Sequence, residues 1–244
     1  MTETVTISTG QTFEVPVSLS ATIAGAVFPA ALTDVQTLLP DGLEAVRVAD
    51  DWGAVTVLAV RYDRVGEGTI DPYDEVGVLI PAVEAGRRTV PVLSLLRRPV
   101  SGYVFTLPVT TEPARAFGVD VWGYPKLVAD IDLIDDGRTR TATVTAEDQR
   151  LLSFSVQRPP TVPARLSGYN FTVRNEQLLR EPTRLRGRVG AWPWSARASV
   201  SFGEHPISRR LSAVDIGDRA LLRLAADCEF TIGAGRPPAV TSSG

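Results

Sequence analysis

Short runs rich in Val, Leu, Phe, Tyr and Thr recur along this chain, broken by Gly, Pro or Asp. Period-2 alternation of apolar and polar positions within such runs predicts strands, and the breaks predict turns. The runs are "AVTVLAVRYD" from Ala54, "EVGVLIPAV" from Glu75, "VPVLSLL" from Val90 and "GYVFTLPVT" from Gly102. They continue with "TRTATVTAED" from Thr139, "LLSFSVQ" from Leu151, "GYNFTVRN" from Gly168, "ARASVSFG" from Ala196 and "ALLRLAADCEFTIG" from Ala220. "GEGT" at 66–69 reads as a hairpin-type turn with no phosphate-loop pattern around it. Helices are few and short. "TDVQTLLP" runs from Thr33 and stops at Pro40, and "TTEPARAFGVD" offers Thr111 as a cap, Glu112 and Pro113 in the first turn and Gly118 near its end. The expected fold is mainly β (β-rich α+β), a barrel or sandwich with a few short helices. One domain is expected over residues 1–244, with a flexible tail from about residue 235 to 244.

Composition removes several functions. The chain has 244 residues, a hydrophobic fraction of 44% and a net charge of -3 with acids and bases interleaved. No basic face for nucleic acid or anionic lipid is evident. Single cysteine (Cys228) and histidine (His205) residues exclude an intramolecular disulfide and a Cys- or His-rich metal site, so no metal is expected. The start "MTETVTISTG" lacks signal-peptide character and no run is long enough to span a membrane, so a cytoplasmic location is expected.

Lys126, in "VDVWGYPKLVAD" (119–130), is the sole lysine; every other basic residue among the 25 is arginine. A GC-rich genome accounts for the bias toward arginine, but lysine alone can lose its proton, attack a carbonyl and form a Schiff base. An ordinary lysine, with a pKa of about 10.4, is almost entirely protonated at pH 7, so a nucleophile needs burial or a neighbouring cation. Trp122, Tyr124, Pro125, Leu127 and Val128 could supply burial, and Pro125 stiffens the approach. The competing reading is a surface lysine with its stem over Trp122. Proton transfer would need a partner. In "DPYDEVGVLIP" alternation places Tyr73 and Glu75 on one face with Gly77 and Leu79. A carboxylate there is either a buried, functional acid or a strand-end residue just outside the core.

These stretches resemble the acetoacetate decarboxylase family. The likeness rests on "LLPDGLEAV" (38–46), "PYDEVGVLIP" (72–81), "TEPARAFGVDVWGYPK" (111–126) and "SFGEHPISRRLSAVDI" (201–216), in one order along most of the chain. The resemblance implies a barrel-like β fold, a homo-oligomer, Lys126 as Schiff-base nucleophile and Glu75 as acid/base. Tyr73, Trp122 and Tyr124 would bind substrate, a small keto-acid or ketone. No cofactor is expected, because the lysine is itself the electron sink. Relatives carry a second lysine directly after the first, where this chain has Leu127. They also carry an N-terminal arginine whose position, counted back without a gap, falls on Pro29. Both departures are expected to take positive charge out of the pocket. Decarboxylation and aldolase- or dehydratase-type chemistry therefore stand side by side for a lyase. The alternative is a non-catalytic ligand-binding or regulatory protein on the same scaffold.

The remaining polar residues carry blander readings. His205, before Pro206, reads as structural, and Arg97 and Arg98 as a solvated turn. Tyr169, Asn170 and Phe171 could line a pocket, with core packing as the first reading, and Cys228 reads as a small buried hydrophobe.

Overall fold

A computed structural model describes residues 3–86 and 100–238 of the chain. Fifteen strands and three helices occur among them. The first part of the chain forms β1 (Glu3–Thr6), β2 (Thr12–Val15), β3 (Val17–Ala31), α1 (Leu32–Thr37), β4 (Leu43–Ala45), β5 (Trp52–Val65) and β6 (Tyr73–Glu84). After it come β7 (Val100–Val109), α2 (Glu112–Trp122), β8 (Lys126–Val128), β9 (Asp130–Asp135), β10 (Thr139–Ala146) and β11 (Gln149–Gln157). The last elements are β12 (Val162–Arg174), β13 (Gln177–Ser195), β14 (Ala198–Phe202), α3 (Pro206–Ser212) and β15 (Ala220–Ile232).

The strand ladder runs β6–β5–β3–β15–β13–β12–β7, and β7 pairs back onto β6. That last pairing closes the sheet into a barrel, which removes exposed edges from its wall. Every ladder in the ring is antiparallel except β7 with β12. β4 extends the wall beside β6, and β8 extends it beside β7 in parallel register, with Leu107 opposite Lys126. A second sheet, β14–β11–β10–β9, covers one outer side of the barrel.

Two cores follow from strand alternation. Along β6, Val76, Val78 and Ile80 face outward into a core shared with Val144, Leu152 and Phe154 of the second sheet. Tyr73 and its alternates face inward, where they join Leu19, Val60, Tyr62, Val104 and Leu107. α2 adds Phe117, Val121 and Trp122 to this inner core. Phe13 of β2 packs on Phe117, with ring centroids 4.6 Å apart. Arg140 bolts the two sheets together. From β10 it donates to the carbonyls of Thr22 (2.8 Å) and Ala59 (3.2 Å) on the barrel wall and pairs with Asp135 at 2.5 Å.

Eight of the nine predicted strands are present; β5, β6 and β11 run past the expected stretches, whereas β10, β14 and β15 stop short of theirs, and the turn at 66–69 joins β5 to β6. The ninth, "VPVLSLL", lies outside the described residues, as do Arg97 and Arg98. The helix expected to end near Gly118 runs on to Trp122, because Gly118 is an interior position and the left-handed residue is Gly123 (φ 74°). Within the stretch read as a tail, Arg236 exchanges backbone hydrogen bonds with Arg180 at 2.8 and 3.1 Å; residues 239–244 lie outside the described chain.

Candidate active site

The chain delivers Lys126 to the barrel interior through a short series of local devices. Thr111 caps α2, its side chain accepting from the Ala114 N–H at 3.3 Å, and Pro113 stands in the first turn. Gly123 ends the helix. Its N–H reaches the Val119 carbonyl at 2.9 Å and the Tyr124 N–H reaches that of Gly118 at 3.1 Å. Only glycine takes this left-handed turn without strain. Pro125 then leads into the three-residue strand β8, where alternation sends Lys126 inward and Leu127 outward. The lysine stem crosses the helix at Gly118, where an added Cβ would lie 2.3 Å from Lys126 Cε. A glycine is needed there for the amine to pass.

Lys126 Nζ lies 2.7 Å from Glu75 Oε2, and the two side chains are 4% and 6% exposed. The surface-lysine and strand-end readings are therefore both overturned, since the inner face of the barrel encloses both groups. The Tyr62 hydroxyl donates to Glu75 Oε1 at 3.3 Å. Tyr62 and Tyr73 stack with centroids 4.7 Å apart, and Lys126 Nζ stands 5.3 Å from the centre of the Tyr73 ring. Trp122 stacks on Tyr124 at 5.5 Å, and its Nε1 donates to the Gly233 carbonyl at 2.9 Å. Asn170 Nδ2 donates to the Tyr124 hydroxyl at 2.9 Å.

These residues surround a chamber of about 160 Å³ whose other walls are mostly apolar, including Leu58, Leu79, Leu107 and Phe230. Gly77, two positions after Glu75, keeps one wall open; a Cβ there would sit 2.9 Å from Leu107. The environment acts on every phenol. Burial, then the charge of Glu75, holds Tyr62 and Tyr73 well above the usual tyrosine range. Tyr124 is raised too, by burial first and then by the charge of Glu181. The three phenols are therefore neutral donors in the physiological range. Among the described residues no group of three or more His, Cys, Asp or Glu side chains converges as a metal site would require.

All five residues singled out in the sequence, Tyr73, Glu75, Trp122, Tyr124 and Lys126, line this one chamber. Of the two readings open for Asn170 and Phe171, Asn170 takes the pocket one and lines the chamber, whereas Phe171 is buried in a separate small core. Tyr62 was not singled out; only its position opposite Tyr73 in the β5–β6 ladder brings it in. The expectation that Leu127 and Pro29 strip charge from the pocket is corrected. Leu127 packs into the core outside the barrel, so a cation there would face away from Lys126. Pro29 stands six residues along β3 from Ile23, which lines the chamber, a distance of about 20 Å along an extended strand. His205 is structural, its Nδ1 accepting from the Ile207 N–H at 3.2 Å as the cap of α3. Cys228 is buried, its thiol pushed up to about 11 by burial and then by Asp227.

Residues 5–238 match the family model described as acetoacetate decarboxylase. Solved structures with a similar fold include an acetoacetate decarboxylase from Legionella pneumophila subsp. pneumophila str. Philadelphia 1, at 14% identity and a TM-score of 0.65 over 92% of this chain and 87% of that one. The enduracididine biosynthesis enzyme MppR complexed with pyruvate is similar at 13% identity and a TM-score of 0.64, over 91% of this chain and 90% of the other. An acetoacetate decarboxylase-like enzyme from Sphingomonas wittichii RW1 aligns at 14% identity and a TM-score of 0.56, covering 91% and 93% of the two chains. Identities this low speak for a common fold. A comparison with curated proteins returned no match.

Proposed function

The chain belongs to the acetoacetate decarboxylase family, and from that premise we propose that it is a Schiff-base-forming lyase acting on a small keto compound. The observation that carries the reading is the 2.7 Å contact between Lys126 Nζ and Glu75 Oε2, enclosed in a mostly apolar chamber. A lysine must give up a proton before it can attack a carbonyl, and Glu75 is the acceptor in contact with it. The freed amine adds to the substrate carbonyl carbon. Loss of the resulting hydroxyl as water, with a proton returned by Glu75, leaves an iminium. That cation withdraws electrons from an adjacent C–C or C–H bond, which permits loss of carbon dioxide or proton abstraction for aldol-type chemistry.

The other residues shape this step. Tyr62, through its hydroxyl, holds one oxygen of Glu75 and leaves the other for the lysine. Trp122 and Tyr124 exclude water with their stacked rings, and Tyr73 faces the amine with its π surface. No organic or metal cofactor enters this scheme. A homo-oligomer and a cytoplasmic location belong to the same reading; light scattering of the purified chain tests the first.

Borohydride trapping tests the chemistry. The protein is incubated with pyruvate, acetoacetate or acetopyruvate, reduced, and mapped by peptide mass spectrometry beside Lys126→Ala. A stable adduct on Lys126, absent from the variant, is expected. Released carbon dioxide then separates decarboxylation from aldol chemistry. Saturable binding of a keto-acid by folded protein with no adduct would replace the lyase with a ligand-binding protein.

A further inference from the structure

A second carboxyl is enclosed in the barrel, and the chemistry above does not use it. Glu181, on β13, has 0% of its surface exposed, and neither carboxyl oxygen has a hydrogen-bond partner among the described residues. Thr183 and Leu185, two and four positions further on, line the chamber, and alternation turns Glu181 to the same inner face, next to that lining rather than in it. Directly across the ladder from Glu181 stands Asn170, which lines the chamber and donates to the Tyr124 hydroxyl. Once ionised, Glu181 raises Tyr124 ahead of Glu75, so both acids lie near that phenol. Behind Glu181 runs the segment after β15, close enough that a Cβ on Gly235 would lie 3.2 Å from Glu181 Oε1.

Burial pushes the Glu181 carboxyl up to about 8, with only its own backbone amide opposing; no charged side chain contributes. Asn170 is its cross-strand partner, and the phenol of Tyr124 lies within reach of its field. At neutral pH it is chiefly an undissociated acid with a proton to donate and no acceptor for it among the described residues. A buried donor without an acceptor destabilises a fold. A ligand oxygen would relieve that.

We propose that Asn170, in the chamber lining, and Glu181, beside it on the same inner face, form a second polar subsite at the chamber's border, which takes the β-oxygen of a small hydroxy-ketone or hydroxy-aldehyde whose carbonyl carbon condenses with Lys126. This rests on the Schiff-base reading and names its substrate class. Both subsite groups donate hydrogen bonds, which suits a hydroxyl oxygen. The subsite also makes dehydration the matching reaction. In the hydroxy-iminium, Glu75 removes a proton from the α-carbon. The electron pair forms the α–β double bond, the β C–O bond breaks, and the departing oxygen takes the Glu181 proton and leaves as water. The product is an α,β-unsaturated iminium, with one proton gained by Glu75 and one lost by Glu181. Hydrolysis of the iminium releases the unsaturated carbonyl compound, and the two acids exchange their protons with water.

The test uses 4-hydroxybutan-2-one and pentan-2-one, which share one heavy-atom skeleton and differ in the terminal hydroxyl. Each is titrated against wild type, Glu181→Leu and Glu181→Gln, with borohydride trapping on Lys126 as the readout. Wild type is expected to trap the hydroxy-ketone with a half-saturation about tenfold lower than pentan-2-one, the ratio one net hydrogen bond gives. Part of its adduct should be lighter by one water. Glu181→Leu should lose that ratio. Glu181→Gln should keep it, with the water-loss adduct absent, and should lack the weakening above about pH 8 that wild type shows. An equal ratio in wild type and folded Glu181→Leu would overturn the subsite. If wild type traps neither ketone, the Schiff-base reading fails by itself, and the subsite is read from reversible binding of the same pair to Lys126→Ala by NMR. There a preference that Glu181→Leu abolishes supports it, and no preference overturns it.

Discussion

Lys126 is useful only if its amine reaches Glu75, and Gly118 decides whether it can. Alanine in place of an interior helix glycine ordinarily stabilises by about 0.5–1 kcal/mol. Here the new methyl would sit 2.3 Å from Lys126 Cε, and the side chain, being flexible, would swing away rather than unfold the helix. Gly118→Ala is therefore expected to melt within a few degrees of wild type while trapping of keto compounds falls about a hundredfold, the usual penalty for a misplacement near 1 Å. Circular dichroism melting and adduct yield measured on the same sample separate the two effects. Glu75 behaves differently because it neutralises an enclosed ammonium. Glu75→Leu leaves that charge unpaired and should cost about 3–5 kcal/mol in urea unfolding. Glu75→Gln keeps the shape and a hydrogen-bonding side chain but cannot shuttle protons, so it should lower turnover by about 10²–10⁴-fold with a smaller change in stability.

At the scale of elements, the second sheet depends on Arg140. Its guanidinium is buried, pairs with Asp135 and donates to β3 and β5 across the interface between the sheets. Arg140→Leu should destabilise by about 3–5 kcal/mol, since Asp135 and the Thr22 hydroxyl lose a buried partner. Amide hydrogen exchange should show β9 and β10 losing protection before the barrel wall does. These elements differ in how far the sequence announced them. β5, β6 and β7 carry Val, Leu and Tyr between clear turns, and they are predicted. β3, "VSLSATIAGAVFPAA", is not, because its small residues serve packing: a Cβ on Gly25 would meet the Val57 carbonyl at 2.9 Å. β13 also escapes, since "RLRGRV" alternates arginine with apolar residues and reads as a polar loop until β12 and β15 pair with it. Lys126 was legible because it is the sole lysine, and Glu75 because it opens an apolar strand. Tyr62 and Glu181 were not, because each owes its place to a cross-strand register that no local pattern encodes.

For the whole molecule, two carboxyls with opposite shifts set how stability should vary with pH. Burial pushes Asp135 up, but Arg140, the Gly137 N–H and Arg158 together outweigh it and hold the group below its ordinary 3.8. Its contribution is complete above that value and is lost as acid protonates the folded state. Glu181 runs the other way, from an ordinary 4.5 to about 8. Below 4.5 it is protonated in both states and contributes no difference. Between 4.5 and about 8 the unfolded chain releases a proton that the folded chain retains. The unfolded state then binds fewer protons, so stability falls as pH rises. At about 1.4 kcal/mol for each pH unit the loss amounts to a few kcal/mol by pH 8. Stability should therefore peak near pH 5 and decline toward neutrality. In Glu181→Gln that decline should flatten, so the variant and wild type, compared by urea midpoint at pH 5 and pH 8, should differ more at pH 8. Parallel declines in the two proteins would mean that Glu181 ionises freely in the folded state, and would remove the neutral acid on which the second subsite depends.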